Sequence, residues 1–433
     1  MPERLRSPRM CQGVCGTGTR QGSCDLGYEF TLDDVAFLRG RYGEKALEVV
    51  SGMALTPSSM IADVEAARRR YAPHDAALIE TVRDRRRAAR KLRDADQWLL
   101  TDDALQQATR SVVAAHRAAE IAQRFPGAVI HDVTCSIGGE VVELASQEGV
   151  GGVIGSDLDH VRLSMAQHNQ RVLGQLPTPT ALLVADALTP TSTADVVIAD
   201  PARRSGAGRI FRLDQLTPPL PDVLMTYAGR VVIIKCAPGL DYRALRNRFG
   251  FTGEVQITSL DGGVREACLW SGPGIVDRTR ATVLRTGGDG AVGGFEVSDD
   301  EPDDVDQHGP VGRWIVDPDG AVVRAGLVRQ YAARHGLWQL DPQIAYLTGE
   351  QVPLGERGFE VIEEVSTSEK ALRKTLAAHD CGTLEILVRG LDVDPDALRK
   401  RLRLKGSRSL ALVLTRVGRK GVGFLCEAGV RAR

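Results

Sequence analysis

Residues 128–140 are AVIHDVTCSIGGE, and this stretch decides the fold. A short apolar run ends at Asp132, a turn of small residues follows, and the helical segment VVELASQEG begins after Glu140. A strand, a turn and a helix in that order form the first unit of a parallel sheet. Four more apolar runs follow at similar spacing. We therefore predict an α/β fold in which helices cover both faces of a parallel sheet.

An acidic residue lies at the end of each of the first four predicted strands. They are, in chain order, Asp132, Asp157, Asp186 and Asp200. In open α/β sheets, ligands bind at the carboxyl ends of the strands, near the point where the strand order reverses. Aspartate also caps helices and turns, which is the alternative explanation for any one of these residues. Four in succession favour a ligand site.

The turn after the first strand and the second acidic residue indicate a nucleoside-containing ligand. Small residues at this turn let the helix N-terminus approach the ligand closely. Asp157 follows Asp132 by 25 residues, where a carboxylate can bind ribose hydroxyls. A dinucleotide or S-adenosylmethionine fits this arrangement. The dinucleotide fingerprint requires three glycines, but its positions here hold Ser136, Gly138 and Val141, which disfavours nicotinamide and flavin cofactors.

The run DVTCSIGGE, followed by GSDLD, ADAL and ADPARR, resembles the class I S-adenosylmethionine-dependent methyltransferases. More narrowly, it resembles their bacterial branch with a C-terminal THUMP-like domain. The resemblance extends from about residue 30 to the end of the chain. It implies a Rossmann-like sheet of seven strands, with GEVQITSL and REACLWSG as the sixth and seventh strands, and S-adenosyl-L-methionine as the cofactor.

The resemblance also assigns residues to the cofactor. The first motif, around the methionine part, holds Asp132, Cys135, Ser136, Gly138 and Gly139. Asp157 corresponds to the acid that binds ribose, and Asp186 with Ala187 to the position that recognises the adenine amino group. Ser136 stands where the family commonly has glycine. Its Cβ fits without strain if the φ angle is negative.

The fourth motif contains the predicted catalytic residues Asp200, Pro201 and Arg203. In related amino-methylating enzymes this motif ends in an aromatic ring that stacks on the base. Here Arg203 and Arg204 follow instead, and a guanidinium both stacks on bases and binds phosphate. The alternative is that these arginines pair with carboxylates in the wall of the site. Because Cys135 and Cys236 lie in no known nucleophile motif, we expect direct methyl transfer.

Composition shifts divide the chain into five parts. We predict a disordered tail over residues 1–27, a helical domain over 28–125 and the methyltransferase domain over 126–285. A mobile acidic and glycine-rich linker follows over 286–310. The C-terminal α+β region spans 311–433, with Asp319-Gly320 as a predicted hairpin turn and the THUMP-like domain at about 358–430.

The N-terminal tail contains three cysteines, and the helical domain contains a cluster of arginines. Cys11, Cys15 and Cys24 have no zinc-ligand spacing and no nearby histidine, so we predict no metal site. Residues 68–93 contain ten basic and three acidic residues. Such a helical segment either follows phosphates or is a solvated surface.

The C-terminal segment concentrates positive charge. Residues 366–433 contain fifteen lysines and arginines against seven acidic residues, whereas the whole chain has a net charge of -1. The candidate RNA-binding residues are Arg399, Lys400, Arg401, Arg403, Lys405 and Arg408. A solvated surface is the alternative, but THUMP-like domains bind RNA in other modifying enzymes. We expect phosphate contacts here.

These observations predict a cytoplasmic RNA methyltransferase, with tRNA or rRNA as the favoured substrate. Two other classes of function remain open at this point. One is a methyltransferase that acts on a protein or a small molecule, and the other is a non-catalytic RNA-binding protein with a decayed cofactor pocket. No apolar run reaches the roughly 20 residues that span a bilayer, and no secretory signal follows the basic N-terminus, so we expect no membrane partner.

Overall fold

A computed structural model describes residues 28–203, 216–306 and 309–432. The predicted tail with its three cysteines, residues 1–27, lies outside the described residues, and so does Arg204. Among the helices in the described ranges, none is both long enough and apolar enough to cross a membrane.

Helices make up the N-terminal part of the described chain. They are α1 (Leu32–Leu38), α2 (Arg41–Ser51), α3 (Met60–Tyr71), α4 (Asp75–Ala88), α5 (Asp102–Gln107) and α6 (Ser111–Arg124). The first begins with a capping box, in which Asp34 N donates to Thr31 Oγ1 at 3.1 Å and Thr31 N donates to the Asp34 carboxylate at 3.0 Å. Such reciprocal bonds satisfy amides that a helix start leaves unpaired.

The basic segment 68–93 has a structural role in part. Arg85 Nε donates to the Trp98 carbonyl at 2.7 Å, and Arg86 donates to three carbonyls just before and after the end of α2, among them those of Ser51 and Ala54 at 2.9 Å. Carbonyls at a helix C-terminus lack partners within the helix, so a guanidinium satisfies them. These contacts stabilise the helical domain.

Parallel strands and their helices form the next part. The strands are β1 (Val129–Asp132), β2 (Gly152–Asp157), β3 (Thr180–Val184), β4 (Val196–Ala199), β5 (Ala202–Arg203), β6 (Leu216–Thr217), β7 (Val231–Cys236), β8 (Glu254–Leu260), β9 (Gly263–Ser271), β10 (Arg278–Thr286) and β11 (Val292–Ser298). The helices are α7 (Gly139–Ala145), α8 (His160–Val172), α9 (Leu220–Thr226) and α10 (Tyr242–Phe249).

The strand order confirms the predicted methyltransferase sheet. Its core runs in the order β3-β2-β1-β4-β7-β9-β8. The first five of these strands are parallel to one another, and β9 is antiparallel to both of its neighbours. The chain goes from β1 outward to β3 on one side and then returns to β4 on the other. Ligands bind at this change of direction. A short ribbon of β5 and β6 lies apart from the sheet.

The prediction of a mobile linker over 286–310 is wrong for the first part of that range. Strands β10 and β11 form a hairpin that extends the sheet beyond β8, giving nine strands in the described residues. Apolar side chains such as Val283 and Val297 are fully buried there. The glycines misled the prediction: Gly294 has φ +153, and a Cβ on it would lie 1.9 Å from the Val283 carbonyl oxygen. Because glycine has no side chain, the two strands can approach closely at this position, as strands do at a bulge.

A second sheet forms most of the C-terminal region. Its strands are β12 (Trp314–Val316), β13 (Trp338–Gln339), β14 (Leu347–Gly349), β15 (Arg357–Val365), β16 (Cys381–Arg389), β17 (Arg408–Val417), β18 (Lys420–Glu427) and β19 (Val430–Arg431). Its helices are α11 (Gly320–Ala325), α12 (Val328–His335), α13 (Glu369–Ala378) and α14 (Pro395–Leu402). The order is β13-β14-β12-β15-β18-β17-β16, with β19 beside β15.

The predicted hairpin turn at Asp319-Gly320 is wrong. The Asp319 side chain accepts a hydrogen bond from Ala321 N at 2.8 Å and caps the N-terminus of α11. Helix α11 packs on the first sheet, where Val322 shares one hydrophobic cluster with Val255 and Ile257. Aspartate before glycine begins a turn or caps a helix equally well, and packing on the sheet decides between them.

The helical domain packs on the first βα unit and so reaches the ligand end of the sheet. Buried Asn169 of α8 accepts from Leu99 N at 2.7 Å and donates to the carbonyls of Leu99 and Ile137 at 3.0 Å. Ile137 itself lies in the hydrophobic cluster of the helical domain. The loop after β1 is therefore held between the sheet and the N-terminal helices.

Candidate active site

A cavity of about 410 Å³ opens where strands β1 to β4 end. It brings together the four acidic residues predicted from the sequence, Asp132, Asp157, Asp186 and Asp200. The helical domain completes the wall with Trp98 and other side chains. A volume of this order is typical of small-molecule sites. Carboxylates at four strand ends, beside a turn of small residues, suit a ligand with ribose hydroxyls and positive charge, so the cavity fits S-adenosylmethionine.

The turn after β1 has a left-handed backbone at two positions. Ser136 has φ +48, so the condition of a negative φ, under which its Cβ would fit without strain, is not met. The Ser136 amide donates to Asp157 Oδ2 at 2.9 Å, which holds this conformation. Gly138 has φ +83, and a Cβ there would lie 3.1 Å from the Ala166 Cβ. Ser136 and Gly139 line the cavity, whereas Gly138 lets α7 and α8 pack closely.

Asp157 is fixed by backbone amides on both of its oxygens. Oδ2 accepts from Ser136 N and Oδ1 accepts from Asp159 N, each at 2.9 Å. A carboxylate oxygen has two lone pairs, so each oxygen retains acceptor capacity toward a ligand hydroxyl. The backbone therefore orients this carboxylate before any ligand binds.

Asp132 is the most deeply buried of the four acids. Oδ1 accepts from Thr134 N at 3.1 Å. Burial and the carboxylate of Glu140 raise the pKa of Asp132, Lys235 opposes them, and the resulting pKa is about 7. Burial has this effect because a low dielectric disfavours the charged form. Asp132 thus gains or loses its proton in the physiological pH range.

The remaining predicted residues of the first three strands also line the cavity. Asp186 accepts from Leu188 N at 2.9 Å, and the carbonyl of buried Ala187 accepts from Tyr227 Oη at 2.7 Å. Cys135 is buried in the same wall, and burial raises the pKa of its thiol well above the usual range. Its sulfur is therefore protonated at neutral pH.

Asp200 contacts a lysine that sequence reasoning missed. Lys235 Nζ donates to Asp200 Oδ2 at 2.6 Å, and the Glu140 carboxylate lies 3.7 Å from the same nitrogen. Lys235 is 9% exposed and Asp200 41%. Burial alone would lower the pKa of Lys235, but Asp200 and Glu140 raise it above its usual range. A lysine inside the apolar run VVIIKC was the signal that could have revealed it.

A buried arginine extends this chain of charges. Arg117 of α6 donates to both oxygens of Glu140, at 2.8 and 2.7 Å, and also to Glu266 of β9. All three side chains are more than nine-tenths buried. Buried charges persist only when paired, and the two-pronged guanidinium suits carboxylates well. The network joins the helical domain to β7 and β9 beneath Asp200.

A second cavity, of about 690 Å³, is also bordered by Asp200. It shares Asp200, Ala202 and Lys235 with the first cavity and includes Pro201. Residues 106–110, from the last turn of α5 to the residue before α6, form part of its wall. A group bound here lies next to Asp200, which also lines the first cavity. We name the two spaces the cofactor cavity and the acceptor cavity.

The arginines of the fourth motif stay a prediction. Ala202 and Arg203 form strand β5, whose register pairs Arg203 with Leu216 of β6. The side chain of Arg203 lies outside what the structure describes, as does all of Arg204.

The predicted RNA-binding residues lie together, with different surroundings. Arg399 donates to the Leu384 carbonyl and to Asp396, Arg401 pairs with Glu369, and Arg408 pairs with Glu427. Lys400, Arg403 and Lys405 are exposed. Arg403 does not continue the helix face of Arg399. Helix α14 ends at Leu402, and Arg403 is a C-cap with φ +53.

The described residues contain one group with metal-ligand geometry, formed by His116, Glu120 and Glu296. Arg280 already donates to Glu120 and Glu296 and also to Glu254. Its guanidinium supplies the positive charge that these carboxylates need. The group is therefore explained as an ion-pair network.

The sheet order, the cofactor cavity and the added C-terminal sheet define a class I S-adenosylmethionine-dependent methyltransferase with a THUMP-like domain. Residues 356–428 match the THUMP domain-like family, and residues 31–88 match a family described only as a domain of unknown function.

The chain belongs to the S-adenosylmethionine-dependent methyltransferases. It is 53% identical over 351 residues to the uncharacterized S-adenosylmethionine-dependent methyltransferase Rv3037c of Mycobacterium tuberculosis strain H37Rv, a match that covers 79% of this chain and 92% of the relative. The relative MT3122 of strain CDC 1551 gives the same values.

A solved structure shows the same fold. A crystal structure described as a methyltransferase from Porphyromonas gingivalis W83 superposes with a TM-score of 0.73 at 17% identity, covering 92% of this chain and 99% of that one. Its relatives at 53% identity make the protein a methyltransferase enzyme whose cofactor is S-adenosyl-L-methionine.

Proposed function

We propose that this methyltransferase acts on structured RNA, tRNA or rRNA, and that its THUMP-like domain binds the RNA backbone. The observation that carries the proposal is a basic surface on two adjacent helices of that domain, α13 and α14. Phosphate contacts supply most of the affinity of proteins for nucleic acids, and they require clustered lysines and arginines.

The two helices pack on the sheet with their leucines and expose their cations. Leu372 and Leu398 are buried in one hydrophobic cluster. Arg373 of α13 donates to the Arg401 carbonyl of α14 at 2.7 Å, which ties the helices together. The exposed cations without a carboxylate partner in the described residues are Lys370, Lys374, Lys400, Arg403 and Lys405. We name these five the basic helix-pair surface. The sequence cluster missed the two lysines of α13, because they lie some 25–30 residues earlier in the chain.

A triple variant of this surface tests the proposal. We expect Lys374→Ser, Lys400→Ser and Lys405→Ser together to flatten the plot of log affinity against log salt concentration by about two units, because each phosphate contact contributes roughly 0.7–0.9. Fluorescence anisotropy with total tRNA, and separately with rRNA, measures the slope. Affinity should fall on all RNAs alike, since phosphate contacts do not recognise sequence.

A matched control removes three exposed cations elsewhere, with Lys45→Ser, Arg69→Ser and Arg70→Ser on α2 and α3. This control should leave the slope unchanged. Equal slopes for wild type and the helix-pair variant would contradict the RNA proposal and favour a protein or small-molecule acceptor. Mass spectrometry of nucleosides from a strain that lacks the gene then identifies the modified base.

Within the cofactor cavity, we infer that Asp157 binds the ribose hydroxyls. Its two amide contacts orient the carboxylate, and a charge-assisted hydrogen bond contributes on the order of 1.5–3 kcal/mol. Asp157→Ala should therefore weaken S-adenosylhomocysteine binding at least tenfold in calorimetric titration. Asp157→Asn retains one carbonyl oxygen and should lose less. Unchanged affinity in both variants would remove Asp157 from the ribose site.

We infer that Asp132 compensates the positive charge of the bound cofactor. Because burial raises its pKa to about 7, it is protonated and neutral below that pH. S-adenosylmethionine affinity should therefore fall as the pH decreases from 8 to 6, with a proton released on binding. Calorimetry in two buffers of different ionisation enthalpy counts the proton.

The Asp132→Asn variant isolates this effect from ionisations of the cofactor itself. It keeps an acceptor for the Thr134 amide but cannot titrate. The dependence of affinity on pH should be shallower in this variant than in wild type. The same pH dependence in both proteins would show that another group titrates.

For the chemical step, we propose that Asp200 positions the acceptor. S-adenosylmethionine, when bound, supplies an electrophilic methyl group on its sulfonium. The Asp200 side chain lies between the two cavities, where it can accept a hydrogen bond from the nucleophilic group. Lys235 holds it in place. Burial raises the pKa of Cys236 in the acceptor cavity, so the thiol is protonated and direct transfer is favoured.

A further inference from the structure

Three cations surround the acceptor cavity and come from distant parts of the chain. Lys91 follows α4, Arg110 precedes α6, and Arg265 lies on β9. Lys91 Nζ donates to the carbonyls of Leu105 and Gln106, at 2.6 and 2.8 Å. Arg110 donates to the Arg90 carbonyl at 2.8 Å, and Arg265 to the Leu260 carbonyl at 3.1 Å. We name Lys91, Arg110 and Arg265 the cationic rim.

The positive charge of the cationic rim is not balanced by the acids of the cavity. On the cavity floor, Asp200 pairs with Lys235, and Glu266 pairs with Arg117. The ion pairs among the described residues include none with a rim residue. The rim cations bond to neutral carbonyls instead, and each guanidinium keeps N–H donors that these bonds do not use.

Two of the rim cations, Lys91 and Arg110, also lie close enough to repel each other. Burial lowers the pKa of Lys91, and the charges of Arg110 and Lys235 lower it further, while Asp200 opposes them. A bound anion would relieve this repulsion. Two guanidiniums and an ammonium around one opening match the geometry of phosphate, which accepts several charge-assisted hydrogen bonds.

We propose that the cationic rim binds a phosphate of the nucleotide that is methylated, so that its base enters the acceptor cavity toward Asp200. This inference rests on the proposed nucleic-acid substrate and names where that substrate is held. The rim differs from the basic helix-pair surface, because it belongs to the helical and catalytic domains. The cationic rim would position one nucleotide, whereas the basic helix-pair surface would bind the RNA away from the acceptor cavity.

A neighbouring groove leads from the acceptor cavity toward the THUMP-like domain. This groove, of about 690 Å³, shares Pro238 and Leu240 with the acceptor cavity. It is lined by Arg243 and Arg324 and reaches Arg389 on strand β16 of the THUMP-like domain. Arginine side chains along a groove suit a single-stranded phosphate backbone.

The test compares nucleotides with nucleosides. Protein saturated with S-adenosylhomocysteine is titrated with each of the four ribonucleoside 5′-monophosphates and with the matching nucleosides. We expect at least one monophosphate to bind about tenfold or more tightly than its nucleoside, which is the gain expected from hydrogen bonds to a charged group. In Arg265→Gln, which changes an exposed side chain, this ratio should fall below threefold.

Further variants separate the outcomes. Lys91→Gln and Arg110→Gln should lower the same ratio, with melting temperatures reporting that they fold. Arg69→Gln, an exposed arginine on α3, should leave the ratio unchanged. If no monophosphate binds the wild-type protein more tightly than its nucleoside does, the phosphate site at the cationic rim is refuted. The same conclusion follows if neither kind of ligand binds. The helix-pair variant should keep the ratio. Equal salt slopes of RNA binding for wild type and that variant, together with an intact nucleotide ratio, would refute RNA binding by the helix pair but not the phosphate site.

Discussion

Asp200→Ala should abolish methyl transfer while S-adenosylhomocysteine affinity stays within a few-fold of wild type. Asp200 is the side chain between the two cavities, and positioned groups that accept a proton or hydrogen bond contribute about 10²–10⁴-fold to rate. The measurement is transfer of a radiolabelled methyl group to RNA from a strain that lacks the gene. A loss of turnover without a loss of cofactor binding assigns Asp200 to the chemical step.

Two further variants distinguish a direct role from a structural one. Asp200→Asn keeps an acceptor oxygen but loses its charge, so it should retain more activity than Asp200→Ala if only a hydrogen bond is needed. Lys235→Met removes the cation that holds Asp200, and its rate should fall with a changed pH profile. Wild-type turnover in Asp200→Ala would refute the assignment of the fourth motif.

Arg117→Met should be the most destabilising single substitution in the buried charge network. Arg117 is 3% exposed in its side chain and pairs with both Glu140 and Glu266. Removal of one partner from a buried ion pair costs about 3–5 kcal/mol, because the remaining charge stays buried and unpaired. Urea denaturation, with the m-value compared between proteins, measures the loss of unfolding free energy.

The sign of the pH dependence provides the control. In wild type, burial would raise the pKa of Glu140, but Arg117 and Lys235 lower it below its usual range. Its stabilising contribution is present above the unfolded pKa and is lost as the pH falls through the folded one. Without Arg117, burial raises the pKa of the Glu140 carboxyl group. The loss of unfolding free energy relative to wild type should therefore become smaller as the pH falls from 8 to 5.5.

A conservative variant and a surface variant complete this test. Arg117→Lys keeps the charge but loses the two-pronged geometry, and it should recover part of the stability. Arg419→Met, at an exposed position, should have almost no effect. If Arg117→Met loses the same unfolding free energy at both pH values, the carboxylates find other partners.

The fold of the central sheet followed from short segments of sequence. Apolar runs of four to seven residues, each ending at an acid or a small-residue turn, predict parallel strands because strand pattern and turn chemistry are local properties. The four acids meet at one cavity because carboxyl ends of parallel strands share one edge. This is why Asp132, Asp157, Asp186 and Asp200 could be named without a structure.

Composition misled where one residue type has two uses. The glycine-rich segment before Asp306 predicted a mobile linker, yet it contains strand β11, in which Gly294 allows a close backbone approach. Likewise, Asp319 caps a helix instead of forming a hairpin turn. Glycine and aspartate report a local backbone requirement, and the neighbouring element decides which requirement it is.

The sequence by itself determined the class of enzyme, the cofactor and the acids of its site. Only the tertiary structure decided how Asp200 is held by Lys235, how Arg117 joins Glu140 to Glu266, and which cations surround the acceptor cavity. Lys91, Arg110 and Arg265 come from elements up to 174 residues apart, and they meet because the helical domain packs on the sheet beside β9. Such contacts depend on how whole elements pack, and the local preferences of the chain carry no record of them.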